Sequence, residues 1–310
     1  MIKIIFMGSP EFAVPSLEKL NSNPNIDISL VISQKDKLRS RNKFVPTPVK
    51  AKALELGLKT FEPDKVNDPE ALKVIDHIKP DFIVVIAYGQ IIGKHLLETY
   101  KDRIINIHSS LLPKYRGAAP MQFALLNGDD KTGVCSMLIE KTMDTGDVLA
   151  CQELAIGEKT TIEDIHDGLS IKAADLILET ILNYQNLYQN RTKQDHSLAT
   201  YTQKISKEMG KIDFLSDAST IDLKVRAFKG WPGTYASLEG KNIKIHKITI
   251  INKYNNIKPG IIHKVDDSGI YVNCNDKCII IEEIQFPNKK KMHVSDYLKG
   301  NSIDLGLEFS

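Results

Sequence analysis

Short apolar runs alternate with amphipathic stretches through the first part of the chain. Ile2 to Met7 is an apolar run that ends in Gly8-Ser9-Pro10, a strand followed by a turn. Val14 to Leu20 carries apolar residues at helical spacing, and Ile26 to Ile32 is a second strand. Val49 to Leu56 reads as a helix that stops at Gly57, a residue that accepts positive φ at low cost. Pro69 to Ile78 is another helix, with Asp68 placed as an N-cap and Pro69 at the first position. Phe82 to Ala87 is a continuous, largely β-branched run, which suits a strand covered on both faces. Ile104 to His108 is a further strand, polar toward its C-terminal end. This β-α-β-α alternation predicts an α/β domain built on a parallel sheet.

Ile162 to Leu187 reads as one long helix. Residues 189–197 then contain almost no apolar side chains, which marks a linker over 189–204 between a first domain (1–188) and a second (205–310). Past a helix at Ile221 to Phe228, short strands are expected at Thr234–Leu238, Asn242–Ile251, Gly260–Val265, Gly269–Asn273 and Cys278–Phe286. Gly, Asn and Asp punctuate them, a spacing that suits a small antiparallel barrel.

The length of 310 residues agrees with two domains. The net charge of +2 hides local structure. From residue 205 onward 16 Lys and Arg stand against 13 Asp and Glu, and residues 35–43 hold five basic side chains among nine. A positive loop of that kind can grip phosphates, although a solvated loop has the same composition. The N-terminus lacks the layout of a secretory signal, and no run approaches the length of a membrane helix. A soluble cytoplasmic protein without a membrane partner is expected, and nothing demands more than a monomer. The four cysteines form neither a disulfide framework nor a zinc pattern, which suits a reducing compartment and no bound metal. No G-x-G-x-x-G follows the first strand and no Walker motif occurs, which argues against dinucleotide and ATP chemistry.

The chemistry concentrates between Asn106 and Asp147. Asn106 and His108 are two apart on a strand, so both side chains leave the same face. They stand at its C-terminal end, where open α/β sheets hold their ligands. An amide donor beside an imidazole suits a developing oxyanion, and the carboxylate of Asp144 can support a charged imidazole or accept a proton. Each residue also has a plain structural reading: a packed His at a strand end, an Asn that caps a turn, and Asp144 and Asp147 as turn residues around Gly146.

The block Ser110-Leu111-Leu112-Pro113-Lys114-Tyr115-Arg116-Gly117-Ala118-Ala119-Pro120, with Asn106-x-His108 before it and Asp144-x-Gly146-Asp147 after it, resembles the signature of the folate-dependent formyltransferases. Met7 to Ala13, Ala87 to Ile91, Lys204 to Glu208, and Arg226-Ala227-Phe228 with Trp231-Pro232-Gly233 extend the resemblance over nearly the whole chain. The resemblance implies a Rossmann-like parallel-sheet formyltransferase domain followed by a small OB-like β-barrel. It implies transfer of a formyl group from 10-formyltetrahydrofolate to the amine of methionine carried by initiator tRNA, without a metal. Asn106, His108 and Asp144 are then the catalytic residues. Ser110, Leu111, Leu112, Pro113, Val85, Ala87, Tyr88 and Gly89 line the folate, and Arg41, Arg39, Lys43 and Lys207 meet the tRNA. Here Ser40 and Asn42 flank Arg41, where the family has glycines. A formyltransferase for a sugar or other small amine, and a 10-formyltetrahydrofolate hydrolase, use the same catalytic block and are the alternatives. The basic loop and the appended second domain argue against both.

Overall fold

The computed structural model describes residues 1–39, 43–252 and 256–310, except the side chains of residues 37–39 and 43. The chain divides into two compact units. The first comprises 1–120, 131–155 and 165–202; the second comprises 121–130, 156–164 and 203–310.

The first unit runs β1 (Ile2–Gly8), α1 (Val14–Asn21), β2 (Ile26–Ile32), β3 (Lys37–Arg39), β4 (Lys43–Val45), α2 (Pro48–Glu55), β5 (Thr60–Phe61), α3 (Pro69–Ile78), β6 (Phe82–Ile86), α4 (Lys94–Thr99), β7 (Ile104–His108) and β8 (Arg116–Gly117). After α5 (Pro120–Leu126) come β9 (Lys131–Leu138), β10 (Val148–Ala155), α6 (Ile162–Leu182), α7 (Tyr184–Gln189) and β11 (Tyr201–Thr202). Seven strands form one sheet in the order β10-β9-β7-β6-β1-β2-β5. The five strands from β7 to β5 are parallel, as the β-α alternation predicts. All five residues of β6 are buried, which accounts for its unbroken apolar run. Beyond β7 the sheet continues as the antiparallel pair β9 and β10, an extension the alternation does not signal. The strand order reverses at β1, so β1 and β6 diverge in their connections and leave a crevice beyond their C-terminal ends.

Two local readings are corrected. The helix expected over 162–187 breaks at Asn183 (φ −108°, ψ 21°). The chain turns there to dock Tyr184 and Tyr188, whose hydroxyls donate to the carbonyl and the carboxylate of Asp102. Asp68 is the N-cap of α3 with Pro69 following it, as expected, but its side chain makes no capping hydrogen bond; at α2 Thr47 Oγ1 accepts from the Lys50 amide at 3.2 Å. The cysteines are not all thiols: Cys135 and Cys151 are opposite partners on β9 and β10 and are joined by a disulfide. Residues far apart in sequence meet across an antiparallel pair, which their spacing alone does not reveal.

The described residues of the basic segment include paired strands. Strands β3 and β4 pair as a hairpin, with Arg39 opposite Lys43. At its foot Lys50 Nζ reaches Asp36 at 2.9 Å and Glu62 at 2.8 Å. Glu62 first, then Asp36, hold the Lys50 ammonium above its usual pKa.

The second unit contains α8 (Ala218–Ala227), β12 (Thr234–Leu238), β13 (Lys241–Ile251), β14 (Ile262–Asp266), β15 (Gly269–Asn273), β16 (Cys278–Gln285), β17 (Met292–His293) and α9 (Val294–Leu298). The sheet path is β12-β13-β16-β15-β14, with β17 on β16. Its two open edges are both met by the C-terminal residues. Ser310 exchanges backbone hydrogen bonds with Ser237 of β12, at 2.7 and 2.9 Å, while Ile262 N donates to Leu307 O and Phe309 N to Gly260 O, each at 2.8 Å. This tail closes the sheet into a barrel and removes its free edges. Inside lie Ile212, Phe214, Ile243, Ile245, Ile281 and Phe309.

Among the described residues no helix is long and apolar enough to cross a membrane, and no cluster of His, Cys, Asp and Glu is arranged to hold a metal ion.

Candidate active site

β7 lies beside β6 in the parallel sheet, and its polar C-terminal end carries Asn106 and His108. Asn106 pairs in register with Val85 of β6 on one side and Met137 of β9 on the other. Among the described residues nothing hydrogen-bonds its half-buried amide. His108 is 7% exposed. Its Nε2 lies 3.0 Å from the carbonyl of Tyr115. A carbonyl only accepts, so Nε2 carries a proton. Nδ1 lies 3.9 Å from Asp144 Oδ2, too far for a hydrogen bond but close enough for the charge to be felt. The imidazole is therefore held at Nε2 by the Tyr115 carbonyl, while Nδ1 faces the Asp144 carboxylate without a hydrogen bond to it.

Asp144 sits in a left-handed conformation, φ +55°, a region that Asp tolerates better than most residues. Its Oδ2 accepts from the Gly117 amide at 2.8 Å. Gly146 follows the turn so closely to the Leu138 carbonyl that a Cβ would collide with it. Gly117 itself has φ +111°, and a Cβ there would meet Thr202 O at 2.5 Å. The turn is tied down elsewhere: Asp147 Oδ2 pairs with Arg191 Nε at 2.9 Å, and Gln194 Nε2 donates to the carbonyls of Asp144 and Gly146 at 2.9 and 2.7 Å. Asp147 is thus engaged by Arg191, while the carboxylate of Asp144 faces the imidazole.

The residues expected along the folate divide into two groups. Leu111, Leu112 and Pro113 are half-buried, and Ala87 and Gly89 are exposed, the former with φ +48°. Ser110 is fully buried, and its hydroxyl is spent on the Lys114 carbonyl at 2.6 Å. The Tyr88 ring lies in the core with Ile75, Leu96 and Tyr100, and burial pushes its phenol up to about 12. Its carbonyl accepts from Ser9 Oγ at 3.3 Å and Gln34 Nε2 at 3.0 Å. Val85 is also buried in that core. Tyr88, Ser110 and Val85 are therefore buried, unlike the rest of the residues expected along the folate. A cavity of about 300 Å³ is lined by Ser9, Pro10, Gln34, Val45, Thr47 and Ala87, at the ends of β1, β2 and β6; Asn106, His108, Asp144 and Ser110–Pro113 are not in its lining.

Of the residues expected at tRNA, Arg39 and Lys43 lie on the hairpin strands, and Arg41 falls outside the described residues. Lys207 is exposed in the second unit, at the start of a short 3₁₀ turn over Glu208–Gly210. Sequence reasoning missed Gln34, Gln194, Thr200 and Thr202. The last two grip the motif loop: Tyr115 N donates to Thr200 Oγ1 at 2.8 Å, Ala119 N to Thr202 Oγ1 at 3.2 Å, and β11 pairs with β8. The expected connector at 189–204 thus runs along the first unit as far as residue 202.

Residues 2–181 match the family model described as formyl transferase, and residues 204–302 match the formyl transferase C-terminal domain. A methionyl-tRNA formyltransferase of Finegoldia magna is 48% identical over 98% of each chain, and one of Clostridium acetobutylicum is 41% identical over 99% of each. Among solved structures, an N-formyltransferase of Helicobacter canadensis, in complex with folinic acid and dTDP-3-aminofucose, superimposes with a TM-score of 0.67 at 22% identity. That match covers 91% of this chain and 99% of the other. At that identity the likeness speaks for the fold, whereas the end-to-end relatives speak for kinship: the chain belongs to the formyl transferase family, among the methionyl-tRNA formyltransferases.

Proposed function

We propose that this protein transfers the formyl group of 10-formyltetrahydrofolate to the α-amino group of methionine esterified to initiator tRNA, giving N-formylmethionyl-tRNA. The observation that carries the reading is the Asn106–His108–Asp144 arrangement at the end of β7, in a chain whose relatives at 48 and 41% identity are methionyl-tRNA formyltransferases.

The neutral amine attacks the formyl carbon, and a C–N bond forms as the carbonyl π pair moves onto oxygen. The free amide of Asn106 and the Nδ1–H of protonated His108 stabilise that oxyanion. Asp144 keeps the imidazole charged and takes the proton that the attacking amine must shed. Collapse of the oxyanion breaks the bond to the folate nitrogen, which takes up the proton that Asp144 received from the amine. The exposed backbone of Ala87 and Gly89 and the wall of Leu111, Leu112 and Pro113 hold the pterin, with Val85, Tyr88 and Ser110 fixing their conformation from behind.

In this reading residues 1–188 form the catalytic domain, 189–204 the connector and 205–310 the tRNA-binding barrel. The enzyme acts as a cytoplasmic monomer. Arg41, with Arg39 and Lys43 beside it, and Lys207 meet the acceptor end through its phosphates. The Arg41→Ala variant weakens use of methionyl-tRNA while the affinity for the folate, measured by fluorescence titration, stays at the wild-type value; equal loss of both makes the hairpin a structural element. The functional reading is tested with a panel of acceptors and 10-formyltetrahydrofolate. Formylation is expected for methionyl-tRNA and absent for free methionine, a nucleotide-linked aminosugar and water. Formylation of the aminosugar alone, or release of formate alone, selects one of the alternatives.

A further inference from the structure

We propose that Gln194 is a positioning residue that sets Asp144, and through it His108, for formyl transfer. The inference rests on the reading given under Proposed function and assigns a task to a residue in a stretch that looks like plain linker. Gln194 is 5% exposed, and every hydrogen-bonding site of its amide is occupied. Nε2 donates to the carbonyls of Asp144 (2.9 Å) and Gly146 (2.7 Å), while Oε1 accepts from Arg116 Nε (3.1 Å) and Nη2 (2.7 Å).

Arg116 explains why an amide is needed. It is 1% exposed and, among the described residues, no carboxylate pairs with it. Its remaining nitrogen also meets no carboxylate: Nη1 reaches His196 Nδ1 at 3.1 Å and Tyr201 Oη at 3.2 Å. A guanidinium cannot shed its proton, so a buried one demands oriented acceptors. Gln194 presents its oxygen to the fork of Arg116, and the cation polarises the amide so that its N–H groups donate more strongly. Those N–H groups land on the backbone of the turn that carries Asp144. The residue after Arg116 completes the grip, because the Gly117 amide binds the Asp144 carboxylate. One short strand thus holds the turn twice, once at the carboxylate and once, through Gln194, at the backbone. The left-handed Asp144 and the 3.9 Å separation from His108 Nδ1 are the result.

The test compares wild type with Gln194→Glu and Gln194→Met in steady-state formyl transfer to methionyl-tRNA, with a thermal melt of each. Glu keeps the size and the acceptor for Arg116 but removes both donors to the turn; Met keeps only the volume. Both variants are expected to lose about 10- to 100-fold in kcat, the scale of a small misplacement near the chemistry. The KM for the folate is expected to stay within about twofold, because the loss falls on the transition state. The His108 imidazole resonances should shift in both variants, reporting a displaced Asp144. The proposal is overturned if Glu restores kcat, if the loss appears in KM instead, if the His108 signals keep their wild-type positions, or if both variants unfold at the assay temperature. Wild type that transfers no formyl group to methionyl-tRNA overturns the functional reading itself; active wild type with wild-type-like variants overturns the positioning role alone.

Discussion

Replacing His108 with alanine lowers kcat by at least roughly 10²-fold, and Asn106→Ala does the same, because each removes one donor to the oxyanion. The expectation follows from how the two side chains are held. His108 is oriented by the Tyr115 carbonyl at Nε2, which leaves Nδ1 toward Asp144, and among the described residues the Asn106 side chain has no competing partner. Neither donor must break a protein hydrogen bond to serve a substrate oxygen. The Asn106→Ala variant should retain the wild-type melting temperature within a few degrees, since among the described residues its side chain makes no hydrogen bond to lose, whereas His108→Ala also gives up the bond to the Tyr115 carbonyl. The folate affinity is expected to stay near wild type in equilibrium titration. Turnover close to wild type in either variant contradicts the assignment.

The Asp144→Asn variant tests the charge rather than the shape. Its side-chain oxygen can still accept from the Gly117 amide, so the turn keeps its anchor. What disappears is the negative charge near His108 Nδ1 and the base that receives the amine's proton. A loss of about 10²- to 10⁴-fold in kcat is expected, the range seen when a carboxylate supporting a catalytic imidazole becomes an amide. Single-turnover transfer, which isolates chemistry from product release, is the measurement. A variant that transfers at the wild-type single-turnover rate makes Asp144 a turn residue and nothing more.

Much of this site is legible in the sequence because period-two geometry is strict. Residues 106 and 108 on a strand must share a face, and a strand buried on both faces must sit in the middle of a sheet, as Phe82–Ile86 does. What stays hidden depends on pairings between distant residues. Gln194 lies in a polar run whose composition says linker; its amide bridges backbone groups and a buried Arg, interactions that leave no apolar signature. The Cys135–Cys151 disulfide depends on the register of β9 and β10, strands with no helix between them to reveal their direction. Closure of the barrel rests on the last five residues, where the alternation of Leu307 and Phe309 is too short to read as a strand, yet both line or abut the core. The buried faces of Tyr88 and Ser110 are hidden for another reason. The motif marks a loop, but which of its side chains turn inward depends on local backbone such as the positive φ of Ala87, next to Tyr88, and on contacts such as that of the Ser110 hydroxyl with the Lys114 carbonyl.

The central claim is that this chain moves a formyl group onto the amine of methionyl initiator tRNA. It is tested most directly by incubating the protein with formyl-labelled 10-formyltetrahydrofolate and charged initiator tRNA, hydrolysing the ester bond and quantifying labelled N-formylmethionine. The account predicts label in N-formylmethionine in proportion to the charged tRNA supplied, and none when the tRNA is uncharged. Label that remains in the folate, or that leaves as formate whether or not charged tRNA is present, contradicts it.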